Sequence, residues 1–260
     1  MPEHRTVLTL TATRLALLAA LVTFSDAGRA GELEFPAAAV DVAIVFAVDS
    51  STSIDPARAD RQRIGHAEAL RSPEVIGAIT HGVTGCIAIT YFEWASVGSL
   101  RTVLPWRLVC SEQDARAAAQ TIEDYGDTGY GRSRGGRTSI SFAIGASSLS
   151  LHPWRGKAAR TVIDISVNGI NNDGLSVDAS RRQAVAEGHV INAIALDREE
   201  PGVTDNLPGY LHEQVIGGPG AFVSVSNGPA DYARALRRKM VVEISGIVSP
   251  SETATTVYLR

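Results

Sequence analysis

The chain has 260 residues, 45% of them hydrophobic and 20% charged, with a formal net charge of −4. That length suits one large domain or two small ones and is enough to bury a sizeable core. A mildly acidic chain with scattered Lys and Arg does not fit a nucleic-acid binder.

At the N-terminus, Arg5 and Arg14 precede an apolar run from Leu15 to Phe24, followed by small residues around Ala27 and Ala30. This is a secretory signal pattern, so residues 1–30 read as a signal peptide cleaved after Ala27 or Ala30. That segment holds three arginines against two acids, so its removal takes the formal charge from −4 to about −5. The apolar run is too short to span a bilayer comfortably, and no later segment is long enough to do so. The expectation is a periplasmic or secreted protein that does not span the membrane.

Residues 31–39 read as an extended leader. Val42 to Val48 is a continuous apolar run, the signature of a strand buried on both faces in a parallel sheet. It ends abruptly in Asp49-Ser50-Ser51-Thr52-Ser53. Asp55-Pro56 is a helix start, with an acid to cap it and Pro at the first helical position. That helix runs to about Leu70, and Ser72-Pro73 restarts a short one to about Ile79. Cys86 to Trp94 and Leu100 to Val109 are two β runs across a short turn, an antiparallel hairpin. Ser111 caps a helix through about Asp124.

Tyr125 to Arg137 is rich in glycine and arginine, a loop composition that often lies near function. Thr138 opens a helix from Ser139 to about Leu149, with apolar Ile140, Ala143, Ile144 and Ala146 toward the core. Ala159 to Ser166 is a buried strand leading into the polar loop Asn168 to Gly174. A helix over Ser176–Glu187 closes at Gly188. Val190 to Leu196 is a strand, Pro208 to Ile216 a short helix and Ala221 to Val225 a brief strand. Asp231 to about Ile247 is an amphipathic helix. The tail, residues 249–260, has no period and reads as loose.

Strands alternating with helices specify an α/β fold: a doubly wound, mostly parallel central sheet with one antiparallel edge strand and helices on both faces. Ligands of such sheets bind outside the carboxyl ends of the strands. Asp49, Ser51 and Ser53 occupy that position and are hard oxygen donors of the kind that suits Mg, Ca or Mn. Spacing alone also allows them to be turn and cap residues. Cys86 and Cys110 flank the hairpin; in an oxidising compartment they read as a stabilising disulfide, or else as two buried thiols. Asp164 lies within a buried strand pattern and needs a partner if it is inside. Trp94, Trp106 and Trp154 read as packing residues. His81, His152, His189 and His212 are isolated in sequence, and Asn171-Asn172 read as turn residues.

Taken together, Asp49-x-Ser51-x-Ser53, the glycine-rich loop ending in Thr138 and the later strand ending before Asn168-Gly169 resemble a von Willebrand factor A (vWA) domain. More closely, the chain resembles a bacterial family of exported proteins with that domain, through runs such as Val162-Ile163-Asp164-Ile165-Ser166, Val190-Ile191-Asn192 and Arg237-Arg238-Lys239. The resemblance covers about residues 38–248, leaving 249–260 as a tail. It implies a metal-ion-dependent adhesion-type site in which Asp49, Ser51, Ser53 and Thr138 hold a divalent cation, Mg before Ca or Mn, directly or through water. Asn168 stands at the strand end where the family pattern has an aspartate, which removes one charge from the site. The resemblance further implies a non-catalytic module that engages an acidic residue of a partner protein. Two alternatives stand beside it. One is a structural vWA-like domain with a degenerate metal site. The other is an aspartate-dependent phosphatase-type hydrolase, against which Ser51 replaces the second acid of that pattern.

Overall fold

The computed structural model describes residues 39–130, 136–196, 205–226, 228–246 and 258–259. The signal peptide, most of the leader, the middle of the glycine-rich loop and most of the tail expected from sequence lie outside the described residues.

In chain order the strands are β1 (Val40–Asp49), β2 (Ile87–Trp94), β3 (Leu100–Val109), β4 (Ala158–Val167), β5 (Val190–Ala195), β6 (Val223–Val225) and β7 (Tyr258–Leu259). The helices are α1 (Pro56–Arg71), α2 (Pro73–Thr80), α3 (Glu112–Tyr125), α4 (Ile140–Leu151), α5 (Val177–Ala186), α6 (Leu207–Tyr210) and α7 (Tyr232–Ser245). The sheet runs β3-β2-β1-β4-β5-β6-β7. All neighbours are parallel except β2 and β3, which form the expected antiparallel hairpin. The tail departs from expectation: Tyr258 and Leu259 pair with Val223 and Ser224. Two residues suffice because β6 offers an open edge, and no periodicity is legible in so short a strand.

Alternation along β1 explains why it is apolar throughout. Val42, Ile44, Phe46 and Val48 pack with α1, α2, α3 and α7, including Leu70, Ile122, Leu236 and Met240. The other face of the sheet carries α4 and α5, with Ile140, Ala143 and Ile144 buried. Asp55 caps α1 by accepting from Arg58 N at 2.9 Å, with Pro56 at the first turn. The turn after α5 places Glu187 within reach of two histidines that are far apart in sequence. Nε2 of His152 and of His189 lie 3.6 and 3.5 Å from its Oε2, so these two are not isolated in the fold. Ser148 donates to the same carboxylate at 2.6 Å. That bond first, with Gln183, Arg155 and His189 adding to it, holds the Glu187 carboxyl down to about 2.

Cys86 and Cys110 are bridged, with Cα atoms 4.2 Å apart. The register that pairs Ile87 with Val109 places them opposite each other at the hairpin's open end. Trp94 and Trp154 are fully buried, and Trp106 packs against Trp154 with ring centroids 5.3 Å apart. Asp164 is inside and is paired with Lys239 of α7.

The topology decides where a site can form. From β1 the chain crosses one face through α1 and α2 to reach β2, whereas β4 leads through α5 on the opposite face to β5. The winding direction therefore reverses between β1 and β4, and ligands of such sheets bind at the carboxyl ends of the strands at that switch point. Asp49 closes β1 and Asn168 follows β4 at that point.

Candidate functional site

The chain leaves β1 through Asp49-Ser50-Ser51-Thr52-Ser53, a bend rather than an extended strand. Asp49 and Ser51 are each 1% exposed. Ser51 N donates to Asp49 Oδ1 at 2.7 Å, folding the first turn of the loop around the carboxylate. Gln62 of α1 donates to Asp49 O at 2.9 Å. One turn earlier on the same helix, the buried Arg58 donates to Ser53 O at 3.0 Å. Ser51 Oγ and Ser53 Oγ are 3.1 Å apart and hydrogen-bonded. Ser53 Oγ donates to Asn168 Oδ1 at 3.0 Å, and Asn168 Nδ2 donates to Ser53 O at 3.3 Å. Asn168 is fully buried. The loops after β1 and β4 are therefore joined side chain to side chain.

The third loop is joined through its main chain. Thr52 N and Thr52 Oγ1 both donate to Gly136 O at 3.0 Å. A Cβ on Gly136 would stand 3.8 Å from Ser51 Cα, so the loops touch. Two residues on, Thr138 is buried at 4% exposure. Its N–H donates to Asn172 Oδ1 at 2.9 Å, and its carbonyl accepts from Asn172 N at 2.9 Å. Asn171 Oδ1 accepts from Ser141 N at 3.1 Å. Gly174, at φ +77°, lets this loop close on Ser139 Oγ, which a Cβ would meet at 2.6 Å. Gly129, at φ +77°, similarly approaches Pro56 Cα, which a Cβ would meet at 2.5 Å.

All five expected site residues thus lie on three loops that contact one another at one end of the sheet. What the sequence reading missed is the bracing. Asn171 and Asn172 are clamps on the Thr138 loop, and Asp173 braces the β2–β3 turn by accepting from Val97 N at 2.9 Å. Asp173 is therefore committed to that turn and does not restore the charge that Asn168 lacks. Arg58 and Gln62 were legible only as an i, i+4 polar pair on the buried side of α1.

The donor chemistry fits a hard cation in type. One buried carboxylate, serine hydroxyls and an amide oxygen are what Mg or Ca takes. Among the described residues no three His, Cys, Asp or Glu side chains are grouped to hold a metal ion. Any cation here would therefore depend on hydroxyl and amide oxygens beside a single acid.

The family described as "Protein of unknown function (DUF1194)" matches residues 39–248. The chain belongs to that family. No curated protein matches it. Solved structures similar to this DUF1194 chain include the pilus adhesin SpaC of Lactobacillus rhamnosus GG, at TM-score 0.56 and 12% identity over 79% of this chain and 31% of that one. A von Willebrand factor type A structure from Catenulispora acidiphila aligns at TM-score 0.51 and 15% identity, over 79% of this chain and 43% of that one. Proximal thread matrix protein 1 of the mussel byssus, with a zinc-occupied MIDAS motif, aligns at TM-score 0.53 and 18% identity, over 80% and 48%. The chain spans between about a third and a half of each of these proteins. The fold is vWA-like. Among the described residues no helix is long and apolar enough to cross a membrane.

Proposed function

We propose that residues 38–248 form an exported, non-catalytic protein-binding domain whose loop cluster takes a divalent cation and, with it, a carboxylate of a partner protein. Asp49, Ser51, Ser53, Thr138 and the amide oxygen of Asn168 would hold the ion directly or through water. The observation that carries this reading is the oxygen spacing beside a buried acid: 3.1 Å from Ser51 Oγ to Ser53 Oγ, and 3.0 Å from Ser53 Oγ to Asn168 Oδ1. Oxygens on adjacent corners of a magnesium octahedron, with bonds of about 2.1 Å, are about 3 Å apart, and calcium's longer bonds need a wider set. Magnesium is the cation proposed, with Ca or Mn as alternatives.

The charge count supports a carboxylate as the partner group. With Asn at 168, Asp49 is the one formal charge among the five residues, so a divalent ion there is left electron-poor and attracts an external anion. The adhesin and byssus proteins of the same fold make protein binding a consistent role, and the site needs no catalytic step. Cleavage of the N-terminal 30 residues belongs to the same proposal.

A second reading, a degenerate site that keeps the fold and binds no ion, is favoured by Arg58. Its buried guanidinium donates to Ser53 O, with Asp55 Oδ2 as counter-ion 3.0 Å away, so a main-chain oxygen of the loop a cation would need is already taken. One titration separates the two. Mature protein is heated with increasing Mg, Mn or Ca, alongside Asp49→Ala. An ion bound to the native state at a hundred times its dissociation constant adds about 2.7 kcal/mol. A rise in Tm that Asp49→Ala abolishes supports the cation site; no rise with any of the three supports the degenerate one.

A further inference from the structure

A second polar cluster lies inside the sheet, away from the loops. Asp164 on β4, Asn192 on β5, and Lys239 and Glu243 one turn apart on α7 are each at most 2% exposed. Lys239 Nζ is 2.6 Å from Asp164 Oδ2 and is also paired with Glu243 Oε1. Glu243 Oε1 accepts from Asn192 Nδ2 at 2.8 Å. The Phe222 ring lies 5.7 Å from Nζ. Beyond the ion pair, neither Asp164 oxygen has a hydrogen-bond donor among the described residues. Three of the runs singled out in the sequence, around Asp164, Asn192 and Lys239, meet here.

As an ion pair this arrangement is costly. Desolvating an amine and a carboxylate is repaid only when hydrogen bonds satisfy both groups, and Asp164 has none besides Lys239. Two acids also share one amine. Burial first, then the Asp164 charge, pushes the Glu243 carboxyl up to about 7. Glu243 is thus able to take up and return a proton near neutral pH while touching the amine. An amine held 2.6 Å from a carboxylate oxygen in a buried site, beside a proton carrier, is placed for condensation with that carboxyl group.

We propose that Lys239 Nζ and Asp164 Cγ are joined, after folding, by an intramolecular amide bond, with Glu243 as the proton carrier. The ammonium of Lys239 passes one proton to the Glu243 carboxylate. The freed lone pair attacks Cγ, forming the C–N bond. One Asp164 oxygen then takes a proton from the nitrogen and one from Glu243, and leaves as water as its C–O bond breaks. Ammonium and carboxylate become a neutral amide and water, Glu243 returns to its starting state, and no oxidant or cofactor is needed. The product replaces two buried charges by one neutral group and ties the last helix covalently to a central strand.

The test is a tryptic map of the full chain with the disulfide reduced. Trypsin cuts after Arg160, Arg181 and Arg238. The expected product is a branched peptide joining residues 161–181 to the peptide that begins at Lys239, uncut after Lys239 and lighter than the two parts by one water, about 18 Da. Glu243→Gln keeps the acceptor oxygen but cannot carry the proton, and should yield the two peptides separately. Free 161–181 with cleavage after Lys239 in the wild-type protein overturns the proposal whatever the variant does. A fully branched Glu243→Gln overturns the role given to Glu243.

Discussion

Asn172 holds Thr138 from both sides. Its Oδ1 accepts from Thr138 N and its own N–H donates to Thr138 O, both at 2.9 Å. The side-chain half of this clamp satisfies a donor at the mouth of α4 that the helix itself cannot use. Asn172→Ala leaves that donor without its acceptor, at a cost of about 1 kcal/mol. The expected result is a lower urea midpoint with an unchanged m value. On the cation reading, the Tm rise produced by magnesium should shrink as well, because Thr138 loses its fixed position. An unchanged midpoint would show that the clamp contributes nothing.

Asn168 makes a sharper case. It accepts from Ser53 Oγ and donates to Ser53 O. Asn168→Asp keeps the first bond, loses the second and sets a second negative charge in a fully buried position near Asp49. Without a cation this variant should melt below the wild type. With magnesium it should gain more than the wild type gains, since the attraction for a divalent ion grows with each added charge. Melting curves with and without magnesium measure both effects. A variant that is destabilised and stays so in magnesium argues for the degenerate reading.

Much of this was legible in the sequence, for reasons that differ by element. Val42–Val48 could only be a doubly buried strand, because alternation leaves no polar residue to face water. Asp55-Pro56 and Ser111 marked helix starts through chemistry local to a few residues. Asp49, Ser51 and Ser53 stood out because they follow a strand, whereas Thr138 and Asn168 became candidates only through the resemblance to vWA domains. What stayed hidden depends on contacts between distant segments. Asn171 and Asn172 look like turn residues until the Thr138 loop is laid beside them. His152 and His189 become neighbours only through Glu187. Lys239 reads as one more surface charge on an amphipathic helix, yet it is fully buried. Its place on the i, i+3, i+4 stripe with Tyr232, Ala235, Leu236 and Met240 puts it on the inward face; the acid it meets on β4 is what the sequence does not show.

Two buried groups should give stability opposite pH slopes. His66 packs against Phe46, Tyr91 and Tyr232, and burial lowers its pKa to about 4. Its folded pKa lies below the unfolded value, so the unfolded chain binds more protons in between. The stability it contributes is present above about pH 6.5 and is lost as the pH falls toward 4. With Asp164 and Lys239 as an ion pair, not yet joined, Glu243 runs the other way: its folded pKa is raised to about 7, so its contribution is present below about pH 4.5 and is lost as the pH rises through 7. Between about 4.5 and 6.5 the two slopes oppose each other. His66→Phe removes only the first. Its stability relative to the wild type should improve as the pH falls from 6.5 to 4, by up to about 3 kcal/mol. Denaturant midpoints of both proteins across that range provide the measurement. A difference that does not vary with pH would mean that His66 titrates normally.

The disulfide offers a prediction independent of the loops. Cys86 and Cys110 are separated by 24 residues, and between them lies the whole β2–β3 hairpin at the sheet's antiparallel edge. Closing a loop of that size limits the unfolded chain and stabilises the fold by about 3 kcal/mol on the chain-entropy account. Cys86→Ser with Cys110→Ser, or the wild type in reductant, should lower the denaturant midpoint to match. The native sheet should persist, because β2 is also held by β1 along eight paired residues, Val42 to Asp49 against Ile87 to Trp94. Far-UV circular dichroism below the new midpoint should therefore be unchanged. Loss of the sheet signal in buffer alone would show that the hairpin depends on its bridge rather than on its pairing with β1.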